Sequence, residues 1–401
     1  MIAIPALPPQ PPALAAPAVF SPAPREVSFG EVSGRLDSRT ARVVVKIDDR
    51  VVTEFEPSPP TTAGGFPRST RFRLRLSLPP RDVSVRVIVF DEAGERAATT
   101  VGPVYGLPFA ARPHPIVSSE DRVLARRIRE LVRGYPAVAS VFVQDLRTGR
   151  GAAWNAAARH QAASTLKLGI ALEVLRMLER KPRVGTRLER LFSNMLVRSS
   201  NRAANQLEVW LAGSTTGGAA RVTATLRSLG LTDTYINGGY IIGTGSQRPI
   251  PLRVESQPPY FPFGKYSTAW DLARLHRLFY RAADGGGALL DLRGRFTASD
   301  ARYLLYTLAH VRDTGKLDRY VGERPDVSVL HKAGWIIQAR HDTGLVFWRD
   351  GAFVAAVMTW KGDGAGASSD VLAGRVAQAA LERFGEQTSA RVTRHSSRMR
   401  S

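Results

Sequence analysis

The 401-residue chain reads as two folded parts, a small all-β module followed by a larger α/β (α+β) domain whose antiparallel sheet is interrupted by a block of helices. Three patterns carry this prediction. Between residues 27 and 105 apolar and polar residues alternate at period two, with no helical period. From residue 139 two strand-like runs precede a helix-rich stretch, and three more follow it before a final helical segment. No run approaches the roughly 18 uninterrupted apolar residues that a membrane helix needs.

Residues 1–26 are rich in Pro and Ala, and no positive charge precedes Arg25. The segment therefore lacks the basic start of a secretory signal and reads as an extended linker, the alternative being a chain start downstream of a cleaved signal. Ala41 to Ile47, Arg71 to Leu78 and Val83 to Phe90 are predicted strands, with Asp48-Asp49-Arg50 and Glu92 to Glu95 turning the chain between runs. An immunoglobulin-like β-sandwich over 27–105 is the expected arrangement. Residues 106–115, with three prolines, read as a linker. Ser118 to Asp121 offers a capping-box start for a helix carrying Val123, Ile128, Leu131 and Val132 on one face. A hairpin over 139–155 and the helix-rich stretch to about 325 come next. Strands at Val327 to Ile337, Gly344 to Trp348 and Phe353 to Trp360 and a last helix from Asp370 to Phe384 complete a domain over 116–386. The arginine-bearing end, 387–401, is expected to be a disordered basic tail.

Net charge is +21, spread over the whole chain rather than set in one block. No nucleic-acid recognition motif and no basic run interleaved with aromatics accompanies it, so anionic cell-wall polymers are the more coherent attractant for an exported protein. Cysteine is absent, which excludes disulfides and thiolate metal sites. No cofactor and no metal are expected, and the chain is expected to be a monomer.

Of 56 basic residues only seven are lysines. Two of them, Lys167 and Lys332, sit where an arginine would not serve. In Ser164-Thr165-Leu166-Lys167, at the start of an apolar-periodic helix, residues three apart share a face, so Ser164 and Lys167 can touch. An amine whose pKa is lowered by burial or neighbouring cations can accept a proton, whereas a guanidinium stays charged. The pair reads as nucleophile and base. Ser199-Ser200-Asn201 and His331-Lys332-Ala333-Gly334 follow in order.

These three stations resemble the Ser-x-x-Lys, Ser-x-Asn and Lys-Thr-Gly pattern of the penicillin-binding protein and class A β-lactamase superfamily. The flanking hairpin, the run Asn201, Ala203, Asn205 and Leu207, and Tyr266-Ser267-Thr268 with Asp271-Leu272 extend the likeness over roughly 115–385. The resemblance implies a β-lactamase-like fold, an antiparallel five-stranded sheet flanked by helices plus an all-α subdomain. It implies a serine hydrolase acting through an acyl-enzyme on β-lactams or, alternatively, on D-alanyl peptides of peptidoglycan; a catalytically silent wall-binding protein is the further alternative. It also implies a place outside the cytoplasm. By the same resemblance Ser199 relays a proton to the leaving nitrogen, Asn201 holds Lys167 and the substrate amide, and Lys332 with Ala333, Gly334 and Trp335 binds substrate. The backbone N–H groups of Ser164 and Trp335 would form the oxyanion hole.

Two departures stand out. Ala333 replaces the hydroxyl that usually bonds the substrate carboxylate, a loss of about 1 kcal/mol. The glutamate that activates the deacylating water in class A enzymes has no counterpart: ungapped alignment puts Tyr240 there, no carboxylate lies between Asp233 and Glu255, and Glu255 would have to reach in from a longer loop. Deacylation is therefore expected to be slow. Tyr235-Ile236-Asn237 is expected to be a loop, Gly243-Thr244-Gly245 is too short for a phosphate loop, and His331, His341 and Asp342 are expected to be surface residues rather than metal ligands.

Overall fold

The computed structural model describes residues 13–58, 62–63, 66–67, 70–178, 181–236, 250–259, 264–292 and 296–398. The chain divides into two compact units, Met1–Gly106 and Leu107–Ser401.

In the first unit β1 (Ala18–Ser21), β3 (Glu31–Arg35) and β8 (Arg71–Arg75) form one sheet. A second has the order β2 (Glu26–Ser28), β10 (Arg96–Gly106), β9 (Asp82–Phe90), β4 (Arg42–Ile47), β5 (Arg50–Phe55), while β6 (Thr62–Ala63) and β7 (Phe66–Pro67) pair with each other. Val83, Val85, Val87 and Val89 alternate inward along β9 and meet Val32 and Phe72 of the other sheet, with Leu36 just past β3, in one apolar core, as period-two patterning requires. The β structure begins earlier than expected: Leu14 is buried and β1 starts at Ala18, so part of the Pro/Ala-rich segment is built into the unit.

In the second unit the stretch expected to be a linker is packed down. Leu107 and Ala111 are buried, Tyr280 donates to the Ala111 carbonyl (2.8 Å), and Arg112 pairs with Asp284 (2.6 Å). The short β11 (Ser119–Glu120) pairs parallel with β13 (Arg150–Trp154), making the sheet six-stranded rather than five, in the order β11-β13-β12-β19-β18-β17. The remaining strands, β12 (Val138–Asp145), β17 (Ser328–Trp335), β18 (Ala339–Trp348) and β19 (Gly351–Trp360), are antiparallel. A separate small sheet joins β14 (His160–Gln161), β16 (Lys265–Ser267) and β15 (Tyr235–Ile236); Tyr235 and Ile236, expected in a loop, are thus paired.

Helix α1 (Arg122–Arg133) starts at Asp121, whose carboxylate accepts the N–H groups of Val123 and Leu124 (both 3.1 Å). Asp121, not Ser118, is the cap, because Ser119 and Glu120 are committed to β11. With α8 (Ala367–Arg398), α1 covers one face of the sheet around Leu124, Ile128, Val141, Val357, Val376 and Phe384. The backbone of α8 runs well past Phe384 into the expected tail. On the other face α6 (Ala269–Ala283) packs on β12, β18 and β19, with Phe142 edge-on to Trp270 at 5.0 Å. Helices α2 (Lys167–Met177), α3 (Arg187–Val197), α4 (Asn201–Ala212), α5 (Thr215–Ser228) and α7 (Ala298–Leu308) make up the helical block between the two halves of the sheet. With both faces covered, the central strands are buried along almost their whole length.

Candidate active site

Ser164 lies on a 3-10 turn, Ala163–Leu166, that leads into α2. The preceding Ala163 is held at φ 47°, a left-handed conformation costing an alanine on the order of 1–3 kcal/mol, of the kind that clusters at functional sites. Two bonds brace the turn: the Ala162 N–H donates to the Lys265 carbonyl of β16 (2.7 Å), and Thr165 Oγ1 donates to the Ala162 carbonyl (2.6 Å). Strand β17 passes so close that a Cβ on Gly334 would stand 2.8 Å from the amide nitrogens of both Ser164 and Thr165. Only glycine lets that strand lie against the turn.

The predicted constellation is brought together. Lys167 Nζ is 2.7 Å from Ser164 Oγ, 2.7 Å from Asn201 Oδ1, 2.5 Å from the Ser199 carbonyl and 3.3 Å from Ser199 Oγ. Lys332 Nζ, fully buried, donates to Ser199 Oγ (2.9 Å) and to the Ala333 carbonyl (2.8 Å). Ser199 therefore sits between the two amines. It too is left-handed, at φ 55°, and the next residue, Ser200, caps α4 by accepting the Ala203 N–H, which fixes Asn201 at the first turn. Burial, then the charges of Lys332 and Lys265, push the Lys167 amine down to about 7. Burial pulls Lys332 to about 8 against the opposing pull of Asp313 and Asp342. A neutral Lys167 has two N–H groups and one lone pair: the Ser199 carbonyl and Asn201 Oδ1 can only accept, so they take the two protons and leave the lone pair for the Ser164 hydroxyl.

These groups open into a cavity of about 320 Å³ lined by Ser164, Lys167, Asn201, Asn205, Ile236, Lys265, Trp335 and Ile336, among others. Trp335 is largely exposed at its rim. Lys265, Asn205 and Ile236 were not singled out as site residues by motif; Lys265 stands in no recognised string, and its only signal is that it is one of the seven lysines.

Of the two deacylation candidates, Glu255 is not brought to Ser164. Glu255 is exposed, its backbone N–H is tied to Asn155 Oδ1 (2.8 Å), and it lines a different cavity beside Trp154 and Trp360. Tyr240 lies outside the described residues, as do Asn237 and Gly243-Thr244-Gly245.

The histidines depart from the surface expectation because both faces of the sheet are covered. His331 is buried with Nδ1 2.7 Å from Asp342 Oδ2, and Asp342 also accepts the N–H groups of Leu317 and Thr343 (both 3.0 Å). His341 bonds the Gln161 carbonyl through Nε2 (2.7 Å) and accepts the Thr359 N–H at Nδ1 (3.2 Å). Asp318, His331 and Asp342 converge, and both carboxylates accept backbone N–H groups.

A family model described as Beta-lactamase2, the Beta-lactamase enzyme family, matches residues 123–183 and 178–384. No curated protein matches. Among solved structures, PBP-A is 21% identical with TM-score 0.51, covering 70% of this chain and 99% of that one. A mutant of PBP-A in an acyl-enzyme complex with penicillin G is 20% identical with TM-score 0.50, covering 68% and 99%. A mutant class A β-lactamase of the last common ancestor of Gram-negative bacteria is 18% identical with TM-score 0.51, covering 65% and 98%. At these identities the structural likenesses establish the shared fold.

Proposed function

The chain belongs to the β-lactamase enzyme family and is a serine hydrolase; from that premise we propose that it forms a long-lived acyl-enzyme on Ser164 with β-lactams. One observation carries the reading: an amine brought to about 7 lies 2.7 Å from the Ser164 hydroxyl with both of its remaining N–H groups engaged. Lys167 takes the hydroxyl proton as Ser164 Oγ bonds to the carbonyl carbon. The backbone N–H groups of Ser164 and Trp335 receive the oxyanion. As the C–N bond breaks, the leaving nitrogen takes a proton through Ser199, which sits between Lys167 and Lys332. Lys332, buried beneath Ser199, supplies positive charge that attracts the substrate carboxylate, with Gly334 and Trp335 further along β17; Ala333 adds no hydroxyl to it.

Water must then cleave the ester. Among the described residues no Asp or Glu lines the cleft, and residues 237–249 contain none. A general base is worth about 100- to 10,000-fold, so the ester is expected to persist. Slow release equally suits a penicillin-binding D-alanyl peptidase of peptidoglycan, which is the second reading. Either substrate class places the chain's work outside the cytoplasm. For the first unit we retain the immunoglobulin-like arrangement, supported by its two sheets around one core, with a spacer or wall-binding role.

Intact-mass spectrometry after exposure to benzylpenicillin tests the reading. One added penicillin per chain, absent in Ser164→Ala and lost over minutes or longer, is expected. No adduct in the wild type would overturn acyl transfer, and release within a second would overturn the slow deacylation.

A further inference from the structure

The cleft carries more positive charge than the acylation steps use. Lys167 and Lys332 are both engaged by hydrogen bonds, whereas Lys265 lines the cavity half-buried, and among the described residues its ammonium has no hydrogen bond or ion pair. It is near enough to Lys167 to depress that amine's pKa. A half-buried ammonium that faces a cavity can donate charge-assisted hydrogen bonds to an anion entering it.

Its position says where the anion would lie. Lys332 is buried beneath Ser199 and does not line the cavity; going along β17 from Lys332, the chain reaches Trp335 and Ile336 at the cavity wall, about 13 Å further at strand rise. On helix α4, Asn201 beside Lys167 and Asn205 one turn on both line the cavity. Lys265 shares the cavity with Ile336, Ile236 and Asn205, and it comes from the small β14-β16-β15 sheet rather than from the main one. Lys265 thus shares the cavity onto which Ser164 opens, whereas Lys332 lies outside its lining. The carboxylate electrostatically coupled to it is Glu208 on α4, buried, with Oε1 unbonded. Burial raises the pKa of Glu208 and the charge of Lys265 opposes that shift, and among the described residues the two make no ion pair.

Resting on the proposed acyl transfer, we infer that Lys265 is a specificity residue: the cleft selects acyl donors that bear a second carboxylate on the acyl chain, in addition to the carboxylate that the charge of Lys332 attracts. Benzylpenicillin and carbenicillin are suitable probes, since they differ by one carboxylate on the acyl side chain.

Binding is measured by calorimetry in Ser164→Ala, where no ester is required. Carbenicillin is expected to bind about tenfold more tightly than benzylpenicillin, the size of one charge-assisted hydrogen bond. Lys265→Gln in the same background brings the two within about twofold, and Lys265→Arg restores the preference. Because loss of Lys265 also alters Lys167, the ratio between the probes is the readout, not either affinity alone. Equal affinities in Ser164→Ala, a preference that survives Lys265→Gln, or no binding of either probe would overturn the inference. A preference for carbenicillin in Ser164→Ala without any adduct on the wild type would leave this inference standing and remove the acyl-transfer reading.

Discussion

Lys167 concentrates the chemistry of the site in one amine. Its folded pKa of about 7 lies below the ordinary lysine value, so the amine is free above pH 7 and charged below it. Lys332, at about 8, loses the charge that attracts the substrate carboxylate as pH rises further. The second-order rate of acylation by benzylpenicillin should therefore climb through about pH 7 and fall above about pH 8 in a stopped-flow pH series, and a rate flat from pH 5 to 9 would contradict the assignment. Lys167→Arg keeps a cation that cannot accept a proton; acylation should drop about 1,000-fold and the rising limb should vanish. Helical spacing paired Ser164 with Lys167, and the resemblance to the family's motif order pointed to Ser199, Asn201 and Lys332. Lys265 was not visible this way, since its partners in the cleft come from three separate elements and no local pattern ties it to them.

At the scale of elements, β17 and the 3-10 turn form the tightest constraint. Gly334→Ala would push a methyl group to within 2.8 Å of two backbone nitrogens, so strand or turn must shift by several tenths of an ångström. Acylation should fall about 100-fold in the mass assay, while the melting temperature moves far less than for a core truncation. The sequence disclosed the strand, a helix start at Ser164 and the glycine, but the reason for the glycine is a contact between segments distant in the chain. Burial of His331 and His341 was hidden for a related reason. Period-two alternation distinguishes a core face from a solvent face, and β17 and β18 have cover on both.

Across the whole molecule, each unit has its own apolar core. In the second unit the first and last helices are joined through Asp121, which caps α1 and also accepts from Arg383 (3.2 Å) and Gln387 (2.6 Å) of α8. Neighbouring N–H donors and Arg383 hold this carboxylate ionised, lowering its pKa despite burial. Asp121→Ala should cost about 2–3 kcal/mol in urea unfolding of the full chain, since it removes a cap and leaves buried donors unmet. That stabilisation is present above the ordinary aspartate range and fades as pH falls through the lower folded value. The two-part organisation could be read from periodicity; the packed stretch after Gly106 and the length of α8 could not, because both depend on tertiary partners.

The groups that flank Ser164 come from α2, the head of α4, β16 and β17, which meet only when the second unit is assembled. A covalent tag on that serine would then act as a head count of intact molecules. In a sample that has been heated or chemically stressed, the tagged fraction would report the surviving native population, with no need for a spectroscopic probe.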